Sequence, residues 1–487
     1  MNLHPVLESG WLNAILPELI LCAGGMVLIL FAAFVPRAKT ATASIAVIFL
    51  IITMWSERLL VKGGTFFGGT YQVSGITLIF DLTFLLAAML ATLFSHDYLE
   101  REGIEGGEFY ALLLWGTVGM MMMAKGLDLL IIILGLEILS ICIFVLVGYQ
   151  RRLPVSNEAS LKYFLMGAFA TGFILYGTAL FYGATQSTNV TVMARYFATV
   201  DAHNPLLAIA FVLMMSGFGF KLALAPFHPW APDVYQGAPT PVAGWLSVAP
   251  KAATLIALIR IFWAMTPMLQ KTSWMTMVAA LSILSMVVGN VVAIVQRDLK
   301  RMLAYSGIAH VGYMSIALLT VRDDSVAAIA VYTIVYALMN IGAFGVVSML
   351  AKNQNDPQTL DDIAGLGFRR PFYGLALTLC MFSLSGLPPT AGFISKFYIF
   401  KTAIESGHTT VALVGIITSI FSVYYYLRVV YYLYMKEPAE GTTTPVVAGA
   451  FATGALVISM IGILWLGMFP SHLFNIAGSA ARELLRR

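Results

Sequence analysis

Two lysines of this sequence lie inside long apolar runs, where charged side chains are normally excluded. Lys221 and Lys251 stand on either side of a proline-rich break, within GFGFKLALAPFHPWAPDVYQGAPTPVAGWLSVAPK. A lysine at the centre of a bilayer costs roughly 3 kcal/mol on insertion scales, so such a residue indicates function. Two of them flanking an interrupted helix predict a path for charge across a membrane.

A third lysine of this kind, Lys396, follows a second break that reads SLSGLPPTAGFISKF. One helix from Pro371 to Ser406 would be about 54 Å long, whereas the hydrocarbon core of a bilayer is about 30 Å thick. Glycine and proline therefore interrupt this run, and we predict its break at 385–389. The break of the earlier run is predicted at 224–226. Snorkelling toward a helix end is the alternative for any one of these lysines.

Glu137 is the carboxylate that could work with these lysines, because it lies well inside the run LDLLIIILGLEILSICIFVLVGY. Burial shifts glutamate and lysine toward their neutral forms, so a buried pair can hold or pass a proton. A static ion pair is the alternative. Lys162 lies at the start of the next run, where an exposed i,i+4 pair with Glu158 is another open interpretation.

Two histidines could relay protons, since histidine titrates near neutral pH. His228 lies in the first break, within PFHPW, and His310 lies inside the run LAYSGIAHVGYM. Ser306 and Tyr313 share one helical face with His310. A satisfied core histidine is the alternative for His310. A further polar stripe, which could hold water or join helices, consists of Tyr332, Tyr336 and Asn340.

Composition sets the class of protein that carries these residues. The chain has 487 residues, of which 59% are hydrophobic and 11% charged, whereas soluble domains carry about 25% charged residues. Its apolar runs are continuous and about 20 residues long, which indicates membrane-spanning helices rather than barrel strands. The net charge of +4 says nothing about nucleic acid. The cysteines have no metal-ligand spacing, so we expect core packing and no cofactor from Cys22, Cys142 and Cys380.

We therefore expect an all-α polytopic membrane protein with about fourteen transmembrane helices, no strands, and a single integral membrane domain over 1–487. The opening MNLHPVLESG is not basic, so we expect no cleavable signal peptide. The last segment, 472–487, is predicted to form a short amphipathic helix at the membrane interface. The predicted spans lie near 15–35, 42–56, 76–95, 109–124, 128–148, 159–182, 206–225, 242–266, 274–296, 302–320, 326–350, 371–405, 410–434 and 445–469.

The two interrupted helices, the seventh and twelfth of this series, lie five spans apart. Paired interrupted helices are typical of transporters that are built from inverted repeats. Helices four to eight would then pair with helices nine to thirteen. The predicted division has three N-terminal helices at 1–108, a first repeat at 109–266, a second repeat at 274–436, and a last helix with the C-terminal segment at 445–487.

Lysine and arginine predict the orientation, because loops on the inner side of a membrane carry an excess of both. The bias favours both termini on the outer side. It also assigns Lys125 and Arg260 to outer loops.

The chain resembles the antiporter-like subunits of respiratory complex I, the proton-pumping NADH–quinone oxidoreductase, and within that family the subunit N group. DVYQGAPTPV after the PFHPW break favours this group over its paralogues. The resemblance covers helices five to twelve and is carried by LGLEILSICIFVLVGY, EASLKYFLMGA, GFGFKLALAPFHPWAPDVYQGAPTPV, RDLKRMLAYSGIAHVGYM and LSGLPPTAGFISKF.

The resemblance implies a role for each charged residue. Glu137 and Lys221 would form one charge-switching pair, and Lys162 would modulate Lys221. Lys251 would link two half-channels through water and His310. The other half-channel would be served by Lys396.

The resemblance also implies partners and a location. The chain would move protons in the inner membrane of a bacterium, beside an antiporter-like paralogue and small membrane subunits. NADH, flavin, iron–sulfur clusters and the quinone site would belong to other subunits, so this chain would carry no redox centre. A subunit of a multisubunit cation/proton antiporter or of a membrane-bound hydrogenase is the alternative, and a structural membrane spacer is a third possibility.

Overall fold

The computed structural model of the chain describes residues 10–35, 39–59, 63–104, 106–200, 204–269, 272–320, 322–350, 359–438 and 449–485. The helices are α1 (Trp11–Phe34), α2 (Lys39–Leu59), α3 (Gly75–Arg101), α4 (Gly107–Lys125), α5 (Leu129–Val147), α6 (Pro154–Thr185), α7 (Val190–Thr199), α8 (Pro205–Leu222), α9 (Trp230–Gly237), α10 (Thr240–Leu269), α11 (Trp274–Val295), α12 (Leu299–Ile316), α13 (Asp323–Tyr336), α14 (Gly342–Met349), α15 (Leu366–Arg369), α16 (Pro371–Ser385), α17 (Ala391–Glu405), α18 (Thr409–Tyr434), α19 (Ala450–Met468) and α20 (Ser471–Leu485). A π-helical turn, Ala337–Ile341, joins α13 to α14.

Thirteen helical segments of the described residues are long and apolar enough to cross a membrane. The shorter apolar helix α16 continues after a break as α17, so these two half-helices together supply one more crossing. The all-α polytopic class is thereby confirmed. Hydropathy did not predict the short helices α7 and α9, because neither is long enough to form an apolar span.

Both predicted breaks are present. Helix α8 ends at Leu222, and Ala223 follows it with φ of 59°, in the left-handed region. Helix α16 ends at Ser385, and Gly386 follows with φ of 83°. A left-handed residue after the last turn is a common way to end a helix. Each break therefore leaves helix-terminal carbonyl groups without an intrahelical donor.

The two halves of the chain share local details that support an internal repeat. Asp128 precedes α5 and pairs with Asn189 in an antiparallel bridge, while Asp298 precedes α12 and pairs with Thr359 in the same way. The number of residues between the partners is the same in both pairs. Each aspartate also caps its helix by accepting from a backbone N–H of the first turn.

Close helix contacts recur with the same offset along the sequence. A Cβ added to Gly119 of α4 would lie 2.5 Å from the carbonyl oxygen of Gly135, and one added to Gly289 of α11 would lie 2.8 Å from that of Tyr305. The α4–α5 and α11–α12 hairpins are therefore packed at equivalent positions. The bounds of the two repeats stay a prediction.

The expectation that the chain has no strands is wrong, because an antiparallel hairpin joins α2 to α3. It consists of β1 (Gly64–Phe66) and β2 (Tyr71–Val73). The backbone N–H of Leu127 donates to the carbonyl of Thr70 (2.8 Å), so the hairpin packs over the turn between α4 and α5. Such short strands leave no clear periodic signal in an apolar sequence.

The core lies around α10, α12 and the α13–α14 unit, which are the most completely buried spans. Helices α1, α2, α6, α11, α18 and α19 leave most of their residues at the surface of the isolated chain. The C-terminal helix α20 agrees with the predicted terminal helix, and it packs against α13 and α3. Lys251 and Arg260 on α10 and His310 on α12 are consequently enclosed by protein.

Candidate functional site

Lys221 lies in the last turn of α8 and reaches α5. Its Nζ donates to Ser140 Oγ (2.7 Å) and lies 5.7 Å from the centre of the Phe144 ring. Glu137, one turn before Ser140, accepts instead from Thr171 Oγ1 of α6 (2.7 Å). Within the described residues, Glu137 and Lys221 form no ion pair shorter than 4.0 Å. The direct form of the predicted pair is therefore not formed here, and a water-bridged form stays a prediction.

Lys162 lies on an exposed face of α6. Its Nζ is 2.7 Å from Glu158 and 3.2 Å from Asp233 of α9, and 44% of its side chain is exposed. The i,i+4 pair with Glu158 is thus formed. Asp233 also pairs with Arg301 of α12 (2.7 Å), so these charges join α6, α9 and α12.

His228 lies half-buried in the break between α8 and α9. Its ring faces Tyr305 of α12, with 6.4 Å between the ring centres, and its Nδ1 is buried without a hydrogen-bond partner. Trp230 Nε1 donates to the carbonyl of Phe220 (2.9 Å), which also accepts from the backbone N–H of Ala223 at the end of α8. The hydrogen bonds of Lys221 and Lys251 to described residues do not involve His228.

Lys251 is enclosed at the centre of the molecule, with 1% of its surface exposed. It follows Pro250 on α10, and its Nζ donates to the carbonyl of Gly307 on α12 (3.2 Å). A Cβ on Gly307 would lie 2.9 Å from this Nζ and 3.0 Å from the hydroxyl of Tyr336. Glycine is needed there because the ammonium group and the tyrosine approach the α12 backbone from the same side.

His310 stands one turn after Gly307 on α12 and is held on both ring nitrogens. Nδ1 lies 2.7 Å from the Tyr332 hydroxyl, and Nε2 lies 3.1 Å from the Tyr426 hydroxyl. The imidazole also stacks on Tyr336, with 5.0 Å between ring centres. Tyr332 and Tyr336 of the predicted polar stripe thus meet His310 in the fold, and each ring nitrogen has a hydroxyl with which a proton can be exchanged.

The polar chain continues from His310 toward the second break. Tyr426 packs beside Tyr425, with 4.4 Å between ring centres. The Tyr425 hydroxyl donates to Asn290 Oδ1 (3.0 Å), and Asn290 Nδ2 donates to the Tyr313 hydroxyl (2.9 Å). Lys396 Nζ then lies 5.3 Å from the centre of the Tyr313 ring. Hydroxyl, amide and imidazole groups therefore occupy the space between Lys251 and Lys396.

Lys396 caps the first half of the second broken helix. Its Nζ donates to the carbonyls of Leu384 (2.9 Å) and Ser385 (3.0 Å), which are the last carbonyls of α16. The negative end of a helix dipole stabilises a cation at this position. The break thus creates the binding site of the ammonium group.

The third member of the predicted polar stripe has a different partner. Asn340 lies in the π-helical turn, and its Nδ2 donates to Ser247 Oγ (2.6 Å) on α10, one turn before Lys251. Its Oδ1 is buried without a partner. A π-turn inserts a residue and so changes which side chains share a face. Asn340 therefore contacts α10 one turn before Lys251, whereas Tyr332 and Tyr336 contact His310.

The structure contains a second group of buried charges that was not predicted from the sequence. Lys125 Nζ lies 2.8 Å from Glu18, 3.1 Å from Glu57 and 2.9 Å from Asp81. The assignment of Lys125 and Arg260 to outer loops is wrong, since both side chains are buried, with 1% and 2% of their surfaces exposed. Asp81 and Glu18 lie inside predicted spans, and a single acid within an apolar run is the signal that could have indicated this group.

Comparison with known proteins decides the family. Residues 126–422 match the family described as NADH:quinone oxidoreductase/Mrp antiporter, TM. The chain belongs to this family. One relative, NADH-quinone oxidoreductase subunit N of Trichlorobacter lovleyi, is 42% identical over 99% of both chains. NADH-quinone oxidoreductase subunit N 1 of Solibacter usitatus is 40% identical over 96% of this chain and 97% of its own. The resemblance drawn from the motifs is confirmed.

Two solved structures have the same fold as this chain. A chain of respiratory complex I from Thermus thermophilus with bound aureothin superposes with a TM-score of 0.81 and 35% identity, covering 95% of this chain and 99% of its own. A chain of the Mrp complex from Dietzia sp. superposes with a TM-score of 0.82 over 98% of both chains. Its 17% identity makes this a likeness of fold alone.

Proposed function

We propose that this chain is a proton-translocating membrane subunit of NADH:quinone oxidoreductase. The observation that carries the proposal is the enclosed series of exchangeable groups from Lys251 through His310 to Lys396. Relatives named as subunit N cover the chain from end to end, which favours complex I over an Mrp-type antiporter. Electron transfer from NADH to quinone would take place in other subunits.

The proposed site residues divide into an input part and a relay. Glu137 and Lys221 form the input, in which charge moves between α5 and α8. Lys162 modulates Lys221 by binding or releasing its acidic partners Glu158 and Asp233 near the start of α6. His228 lies beside the first break, where it can accept a proton that arrives along α8.

Lys251, His310 and Lys396 form the relay. A buried lysine can be neutral or charged, and which form prevails depends on charges nearby. When a positive charge at Lys221 moves toward Lys251, repulsion favours transfer of the Lys251 proton toward His310. Water would complete the contact between Lys251 and His310, because the Tyr336 hydroxyl beside Lys251 is buried and has no hydrogen-bond partner among the described residues. Moving one charge against 100 mV requires about 2.3 kcal/mol, which a change in charge at a neighbouring site can supply.

The partners of this chain are other membrane subunits of such a complex. We infer that an antiporter-like paralogue and small membrane subunits cover its lateral faces, in the inner membrane of a bacterium, with both termini on the periplasmic side. The internal division remains three N-terminal helices at 1–108, repeats at 109–266 and 274–436, and a last unit at 445–487. The apolar exposed faces of α5 and α6 suit either lipid or a neighbouring subunit.

The test is replacement of Lys251 by alanine in the complete complex. Lys251→Ala should abolish proton uptake into inverted membrane vesicles during NADH oxidation, because the central exchangeable group is removed. Lys401→Ala is the matched control, since Lys401 is 48% exposed and pairs only with Glu405 among the described ion pairs. Native gels would establish that both variants assemble. Normal uptake in an assembled Lys251→Ala complex would contradict a proton path through this lysine.

A further inference from the structure

The buried charge group around Lys125 lies outside the relay and contains more acidic than basic side chains. Each carboxylate approaches the ammonium from a different helix: Glu18 from α1, Glu57 from α2 and Asp81 from α3. An ammonium group has three N–H donors, so one is available for each acid. The position between the carboxylates, where a metal ion would need to bind, is occupied by the lysine itself.

Arg260 is the other cation of this group. Its Nε donates to the carbonyl of Ala124 (2.8 Å), and its Nη1 donates to Gln72 Oε1 (2.8 Å). Its Nη2 is buried without a partner. Arginine stays charged in proteins, so this guanidinium contributes one fixed positive charge beside Lys125.

Three carboxylates therefore face two cations, which leaves one negative charge in excess. The titratable groups that interact with Lys125 are Glu18, Glu57, Asp81 and the hydroxyl of Tyr71, which donates to Glu18 Oε1 (2.6 Å). Arg260 joins this group through its interactions with Asp81 and Tyr71. An uncompensated buried charge is strongly unfavourable, and such a group takes up a proton instead.

The carboxylates also lack the donors that three ionised acids would need. Asp81 is completely buried, and its Oδ1 has no hydrogen-bond partner. Glu18 Oε2 is likewise buried without a partner. Buried polar atoms are normally satisfied, so these oxygens indicate a site that binds one further hydrogen.

A route to water reaches this group from the hairpin side. A cavity of about 70 Å³ is lined by Gln72 and Arg260 together with Thr65, Thr191 and Trp263. Thr65 is exposed at its rim. Arg260, which donates to Gln72 at the cavity, also interacts electrostatically with Asp81 and Tyr71, so its guanidinium connects the cavity with the charge group.

We propose that Glu18, Glu57 and Asp81 together hold one exchangeable proton beside Lys125, and that it exchanges with water through the cavity at Gln72 and Arg260. Protonation forms one O–H bond on a carboxylate and breaks one O–H bond of a hydronium ion, which leaves as water. The resulting group is electrically neutral. This site is separate from the relay of Lys251, His310 and Lys396, and it does not depend on the proposed pumping function.

Infrared spectroscopy of the purified complex at rest, without NADH, tests the proposal. A protonated carboxylic acid has a C=O band distinct from carboxylate bands, and the band shifts when the proton is replaced by deuterium. Asp81→Asn, Glu57→Gln and Glu18→Gln should each remove the same single band. Each removes one negative charge, so the two remaining acids balance the two cations and need no proton.

Glu405→Gln is the control, because Glu405 is exposed and pairs with Lys401 outside this group, so its removal should leave the band unchanged. Use of three separate variants keeps the test valid if one of them fails to assemble. Spectra that are identical in the wild type and in any assembled variant of the three would overturn the shared proton.

The exchange route is tested separately by Thr65→Trp, which fills the rim of the cavity. The band should persist, but its shift in heavy water should become slower. An unchanged exchange rate would overturn the route through this cavity.

Discussion

Lys396 separates a fixed charge from a proton carrier more sharply than any other residue of the relay. Its ammonium group donates to the carbonyls of Leu384 and Ser385 at 2.9 and 3.0 Å, where α16 ends. Arginine at this position keeps the positive charge and the donors, but it cannot release a proton in a protein. Alanine removes the positive charge, the hydrogen-bond donors and the exchangeable proton. We therefore compare Lys396→Arg with Lys396→Ala.

The structure gives the expected size of the effect on stability. Hydrogen bonds to charged groups contribute about 1.5–3 kcal/mol each, so Lys396→Ala removes about 3–6 kcal/mol, before water offsets part of it. Lys396→Arg should lose much less, since a cavity of about 480 Å³ beside Lys396 has room for the larger head group. Thermal unfolding of the purified complex would measure this difference.

The order of the Lys396 variants in proton uptake should differ from their order in stability. Both variants should lose most of the proton uptake into inverted vesicles, although only the alanine variant is destabilised. Lys396→Glu should keep part of the uptake, because a carboxyl group can also exchange protons. Full uptake in Lys396→Arg would refute the reasoning, since Lys396 would then be a fixed electrostatic element, and the exit would have to be sought at Tyr332, Tyr336 and Asn340.

Three further predictions follow from other contacts. Gly392→Ala should prevent assembly on native gels, because its Cβ would lie 1.7 Å from the carbonyl oxygen of Ser383, whereas Gly454→Ala has nothing within 4 Å and should assemble normally. Lys162→Ala should leave the melting temperature of the complex close to that of the wild type, because exposed ion pairs contribute little to stability, and vesicle uptake that stays at the wild-type rate would exclude it as a modulator. Tyr332→Phe removes one hydrogen bond to the imidazole at a cost of about 1 kcal/mol; it should slow uptake in an assembled complex, and unchanged uptake would remove Tyr332 from the relay.

Sequence alone determined the spans, the two breaks and the isolated lysines. Each of these follows from local physics: apolar runs of membrane length, prolines that lack a backbone donor, and the cost of a charge in hydrocarbon. The breaks predicted at 224–226 and 385–389 accordingly fall where α8 and α16 have ended. The hydropathy of these residues does not depend on what packs against them.

Only the tertiary structure decided which polar groups meet. His310 contacts Tyr426, which lies 116 residues away in the chain, and Lys221 reaches Ser140 rather than Glu137. The sequence predicts a loop position for Lys125. In the fold, the rotation of α1, α2 and α3 brings one carboxylate from each of these helices to its ammonium group. Helix rotation and crossing depend on the packing of side chains over the whole surface of each helix. That information is distributed along the chain, so the spacing of charges in the sequence could not supply it.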